Sequence, residues 1–340
     1  MSQETETRVR SGRPRTRVDQ IRRVVPIVGH WTIASAKAEV TFDGWVHSPK
    51  ELPDEEAQPY GIALAPGRFL DGQLSCRIRV ISQGNGHTLH SDSPWSHGIT
   101  GGLLFGYQNE RSRYFAVHVG GFNQSFGILR FEPGRGWQSV IAAGSSQNLE
   151  AVEHELALGL NGQEATVSFD GVDVISNFIL PEPIEGQGFG LFAWGRGKLE
   201  FKNMEVASRP PQLFVVMPFS EPFDTFYRAV VRKVARHEGF EIVRVDEIRG
   251  PGNILEDIRR QIAAAHVVVA EISSPNPNVF YEVGYAHALN KPVILLARRS
   301  EDRVLPFDLR PYRVIFYDDT IGGKDEVERT LRDHLKAVLR

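Results

Sequence analysis

The chain has 340 residues, with 39 Lys and Arg against 42 Asp and Glu, a formal net charge of −3 and a single cysteine. That length points to two domains, and the near balance of charge argues against nucleic acid or an anionic membrane as the main partner. One cysteine excludes an intrachain disulfide and leaves little for a Cys-based metal site, so no metal is expected. No run approaches the ~20 apolar residues of a membrane span, and the first residues lack the layout of a secretory signal, so no membrane contact and a cytoplasmic location are expected.

Residues 1–24 carry seven Arg against three acids with little that is apolar. This composition reads as a disordered basic tail; contact with phosphates is the sharper alternative. From 25 to 208, short alternating or apolar runs suit strands: Leu74–Val80, Gly102–Tyr107, Tyr114–Val119, Ile128–Phe131, Ala165–Phe169 and Phe189–Ala193. Turn chemistry separates them at Gln83–Gly86, Glu132–Gly136, Leu160–Gly162 and Asp170–Gly171. Many strands at short spacing and no long helical period predict an antiparallel β-sandwich or jelly roll. Trp95, Trp137 and Trp194 are expected to pack rather than to line a sugar or nucleotide groove. Asp71 and Asp170 have no calcium-loop spacing.

After Arg209-Pro210-Pro211 the pattern changes. Strands are predicted at Leu213–Met217, Glu241–Val245, Val267–Ile272 and Val293–Leu296, with a further one within Phe307–Tyr317. Helices alternate with them at Phe223–His237, Ile254–Ala265 and Val279–Leu289, and Glu326–Leu339 reads as an amphipathic terminal helix. Alternation of this kind means βαβ units and a parallel sheet over 212–340, with ligands at the strands' carboxyl edge.

One carboxylate, Glu282, stands in the small-residue run Asn276-Pro277-Asn278-Val279-Phe280-Tyr281-Glu282-Val283-Gly284-Tyr285-Ala286-His287-Ala288. Asn278 after Pro277 suits an N-cap, which places Glu282 near the first turn of the helix, ionised and better suited to a nucleophile or charge stabiliser than to a general acid. The topology should bring Met217, Pro218, Phe219, Ser220, Asp246, Glu271 and Ser273 to the same sheet edge, with Asn278 and Tyr285 from the helix. The bland readings are a helix-terminus acid for Glu282, a turn acid for Asp246, an ion-pair partner for Glu271, a cap for Ser220 and a packing residue for His287. Gly250-Pro251-Gly252 lacks the length and the Lys-Ser/Thr ending of a phosphate loop.

The runs Phe214–Phe219 and Val267–Glu271, the segment around Glu282 and Lys291-Pro292-Val293-Ile294 resemble the TIR-like and nucleoside 2-deoxyribosyltransferase superfamily. The resemblance implies a flavodoxin-like fold in which Glu282 attacks or stabilises the anomeric carbon while an N-glycosidic bond breaks. Transferases of the group usually carry aspartate where this chain has Glu271, and that departure weighs against simple base exchange. The first half is more loosely similar to concanavalin A-like sandwiches through Gly102–Tyr107, Tyr114–Val119, Ile128–Phe131, Asp170-Gly171 and Gly188–Trp194.

The expectation is therefore a sensor-effector protein. Its sandwich recognises a small-molecule, sugar or protein ligand, and its C-terminal domain hydrolyses the N-glycosidic bond of NAD or a related nucleotide, as TIR-like enzymes of bacterial immunity do. NAD is expected as substrate and no cofactor is needed; self-assembly into a homo-oligomer is left open. The rivals are a deoxyribosyltransferase or nucleotide hydrolase, and a non-catalytic nucleotide-binding scaffold joined to a lectin-like module.

Overall fold

The computed structural model describes residues 18–34, 36–43, 60–82, 99–121, 125–145, 151–195, 197–247, 253–300 and 307–339. The expectations for Trp95, for the Gln83–Gly86 turn and for Gly250–Gly252 lie outside them. The alternating N-terminal runs form two antiparallel sheets. One has eight strands in the order Val172–Ile179, Glu164–Phe169, His154–Asn161, Gly72–Ser82, Lys198–Ser208, Glu39–Phe42 and Trp31–Ala34, with Val18–Asp19 added alongside Lys198–Ser208. The other has seven, in the order Gly136–Ala143, Phe126–Glu132, Tyr114–Val119, Thr100–Tyr107, Gly188–Trp194, Tyr60–Leu64 and Val25–Val28.

The sheets pack because each strand sends alternate side chains inward. Leu74, Cys76, Ile78 and Val80 meet Leu103, Phe105, Phe115, Val117 and Leu191 in one buried core. A second apolar cluster joins Leu104, Tyr114, Ala116, Phe192, Trp137 and Trp194, and both tryptophans are buried there, as a packing role requires. Asp170 and Gly171 both adopt positive φ, the backbone that a two-residue hairpin turn demands. Of the basic tail expected over 1–24, residues 1–17 lie outside the described residues and 18–24 are ordered: Val18 and Asp19 pair with Val206 and Glu205, and Ile21 is fully buried. Its side chain and that of Val24 gain more from the core than the neighbouring arginines gain from being solvated in an unfolded segment.

The third sheet is parallel. Its strands are β1 (Gln212–Val216), β2 (Glu241–Arg244), β3 (Val267–Glu271), β4 (Val293–Arg298) and β5 (Val314–Tyr317), in the order β2-β1-β3-β4-β5. That is the flavodoxin-like order, with a topological switch point between β1 and β3. All five residues of β3 are buried, which is why the first four are an unbroken apolar run. Helix α1 opens at Phe223–Phe226, widens through a π turn at Tyr227–Val231 and closes at Arg232–His237; α2 is Ile254–Ala264, α3 Pro277–Ala288 and α4 Ile321–Val338. Helices α1 and α4 cover one face through Val230, Val234, Leu331 and Leu335, and α2 and α3 cover the other through Ile258, Ile262, Val279 and Val283. No helix among the described residues is long and apolar enough to cross a membrane.

The two halves meet at a polar seam. The Gln163 N–H donates across it to Ala263 O at 3.1 Å, and on the parallel-sheet side Lys291 Nζ holds Ala263 O and Ala265 O at 2.6 and 2.7 Å. Arg209 donates to Leu160 O at 2.7 Å and lies 3.7 Å from the buried Asp71 carboxylate. Gly162, at φ +61°, permits the contact, because a Cβ there would sit 2.2 Å from Ala264 O. The C-terminal end of α2 is thereby fastened to the sandwich.

Candidate functional site

At the carboxyl edge, beside the switch point, lies a cleft of about 630 Å³. Met217, Pro218 and Phe219 leave β1 to form one wall, Val245 follows β2, Asn253, Ile254, Leu255 and Ile258 come from the start of α2, and Asn276, Asn278, Val279, Tyr281 and Glu282 come from the start of α3. Both helices enter through asparagine caps. Asn253 Oδ1 accepts from Leu255 N at 3.0 Å, and Asn276 Oδ1 accepts from Asn278 N at 2.9 Å.

The cap of α3 is thus Asn276, not Asn278. Pro277 takes the first helical position, where its fixed φ fits and its missing N–H costs nothing. This shift moves Glu282 to the sixth residue of the helix, past the turn where the helix's positive end acts strongly. Glu282 is 9% exposed, and no described residue hydrogen-bonds or ion-pairs with its carboxylate. Burial pushes its pKa up to about 7. The expected fully ionised state is overturned: near neutral pH this carboxyl is divided between its acid and its anion, and either proton donation or attack as carboxylate is open to it.

Of the residues predicted for the site, Met217, Pro218, Phe219, Asn278 and Glu282 come together in the cleft. Asp246, expected at this sheet edge, is engaged elsewhere. Arg244, buried at the end of β2, donates from Nε to Asp246 at 2.6 Å and from Nη1 to Asp224 at 2.7 Å, and its Nη2 pairs with Asp246 as well. Its guanidinium lies over the rings of Tyr227 and Phe219, at 4.4 and 5.4 Å from their centroids. Asp246 therefore helps to set the cleft wall by neutralising the cation that supports Phe219.

Glu271 and Ser273 do not line the cleft either. Glu271 is almost fully buried and accepts from Ser273 N at 3.0 Å, from Tyr317 Oη at 3.1 Å and from the Ser273 hydroxyl. Ser273 Oγ in turn accepts from Arg298 N at 2.6 Å. These bonds tie the ends of β3, β4 and β5 together. Ser220 is exposed, with its carbonyl accepting from Asp224 N at 3.1 Å, and Tyr285 is half-buried against the core that α2 and α3 share. His287 stacks on Tyr312 at 4.1 Å.

Of the two tyrosines that flank Glu282 in the sequence, Tyr281 lines the cleft and Tyr285, the one expected there, does not. Tyr281 was discoverable, since it adjoins Glu282 and lies three residues beyond Asn278 on the same helical face. Asn253, Ile254 and Leu255 carried no such signal, because only the crossing of α2 over β1 brings them in. Among the described residues no group of His, Cys, Asp and Glu gathers as a metal site.

Fold and site together define a two-domain chain, a β-sandwich joined to a doubly wound parallel-sheet domain that presents a carboxylate cleft at its switch point. No family model matches the sequence, and no curated protein does. Among solved structures, the carbohydrate-binding module CBM66 of Bacillus subtilis is similar over 53% of this chain and 92% of its own, at 14% identity and TM-score 0.39. A Bacillus subtilis protein of unknown function with a galectin-like fold is similar over 58% and 98%, at 10% identity and TM-score 0.39. The TIR domain of the Toll-related receptor TRR-2 of Hydra magnipapillata is similar over 38% and 98%, at 13% identity and TM-score 0.30.

Proposed function

We propose that the parallel-sheet domain hydrolyses the N-glycosidic bond of NAD or a related nucleotide, with Glu282 at the reacting sugar. The observation that carries this reading is an unpaired carboxyl, nearly buried at the base of an open cleft, in the motif whose sequence resembles TIR-like glycohydrolases. Breaking the bond to a departing base develops positive charge on the anomeric carbon and ring oxygen. In its anionic form Glu282 stabilises that charge or traps the carbon as an ester, and water completes the transfer of the ribosyl group. A desolvated carboxylate is strengthened for this role, because its attraction to the developing cation is little screened.

Phe219 and Tyr281 offer flat faces at the cleft rim for the base. The sandwich acts as the recognition half, and its seam with α2 reaches the element whose other end lines the cleft. The bacterial-immunity setting rests on the sequence resemblance. Incubating the purified chain with NAD and following nicotinamide release tests the reaction. Turnover is expected in the wild type, rising as pH passes upward through about 7 where Glu282 ionises, and it should be lost in Glu282→Gln. Equal rates in the two proteins would sink the assignment.

A further inference from the structure

Arg259 follows Ile258, the last α2 residue to line the cleft. Its Nε and Nη2 donate to the Tyr281 hydroxyl at 3.3 and 2.9 Å, and its guanidinium lies 5.9 Å from the centroid of the Tyr285 ring. Two side chains one turn apart thus hold this charge against the same helix that carries Glu282. No described carboxylate lies within ion-pair distance of it; Glu256, whose charge also reaches Arg259, pairs with Arg260 at 3.7 Å. Arg244, the other guanidinium at the cleft, is neutralised by Asp224 and Asp246.

The geometry of the fork matters. Tyr281 occupies the side formed by Nε and Nη2, which leaves the end formed by Nη1 and Nη2, the pair of parallel donors that matches two oxygens of a phosphate. The cleft therefore has the Glu282 carboxyl at its floor and, hydrogen-bonded to its lining residue Tyr281, a pre-oriented guanidinium with no described ion-pair partner. A ligand that satisfies both carries its electron-poor centre at one end and an anion at the other.

We propose that Arg259 is a phosphate clamp, and that the cleft selects a phosphate-bearing nucleotide over the corresponding free nucleoside. The clamp deepens the reading of Glu282 as the reacting carboxylate and rests on it. Binding phosphate at the rim holds the phosphates away from the Glu282 carboxylate and directs the sugar's anomeric end to the floor. Tyr281 acts as a positioning residue, since it touches the substrate's phosphate only through Arg259.

Calorimetric binding to the full chain carrying Glu282→Gln, with ADP, adenosine and pyrophosphate as probes, tests the clamp. ADP should bind about tenfold or more tightly than adenosine, as a charge-assisted bidentate contact implies, and added salt should erode the difference. Adding Arg259→Ala should abolish the preference while leaving adenosine affinity unchanged, and Tyr281→Phe should weaken ADP and pyrophosphate by less. With turnover, Arg259→Ala should raise the KM for NAD about tenfold with kcat within about twofold. The clamp is overturned if Arg259→Ala binds ADP like its parent, if it weakens ADP and adenosine equally, or if neither ligand binds. A wild type that cleaves no nucleotide would refute the glycohydrolase reading, while the ADP-to-adenosine ratio would still decide the clamp.

Discussion

Glu282 makes a prediction about stability that is independent of any substrate. Its folded pKa stands near 7 against an ordinary value of 4.5, so the folded protein holds a proton that the unfolded chain releases. At about 1.36 kcal/mol per pH unit, a displacement from 4.5 to about 7 corresponds to roughly 3 kcal/mol, which water in the open cleft reduces to about 2 kcal/mol. The sign follows from proton uptake: between these pH values the folded state binds more protons, so stability falls as pH rises from about 4.5 to above 7 and then levels off. Glu282→Gln removes the titration while keeping shape. The variant should therefore equal the wild type near pH 4.5 and exceed it at pH 8 by about 2 kcal/mol, or roughly 6 °C in the unfolding of the parallel-sheet domain. Scanning calorimetry of both proteins across that range measures it. A pH-independent difference, or no gain at pH 8, would refute the claim that Glu282 is desolvated and unpaired.

Two other perturbations address the supports of the site. Arg244→Met should leave Asp224 and Asp246 without their cation, costing about 3 kcal/mol in urea unfolding and releasing Phe219. Gly162→Ala should strain a positive-φ turn and press a methyl onto Ala264 O, costing about 2 to 4 kcal/mol and uncoupling the unfolding of the two halves, which a split calorimetric transition would reveal. An unchanged single transition would show that the seam does not couple them.

Periodicity alone determined much of this protein. The period-two runs before Pro210 and the strand-helix alternation after it are local consequences of which residues face a core, so both architectures and the parallel order of elements were legible. Glu282 was legible for a similar reason, since a carboxylate in a slim apolar helix stands out from its neighbours. The state of that carboxylate was not. Whether it feels the helix terminus or the loss of water depends on a cap one turn away and on a cleft wall supplied by α2 and the loop after β1. Likewise Asp246 and Glu271 were legible as sheet-edge acids, but the groups they bind were not. Their partners, Arg244 with Asp224 and Ser273 with Tyr317, meet them only through the packing of separate strands and helices. Backbone pattern is written locally, whereas pKa, pairing and the shape of a cleft are set by groups that folding brings together from distant parts of the chain.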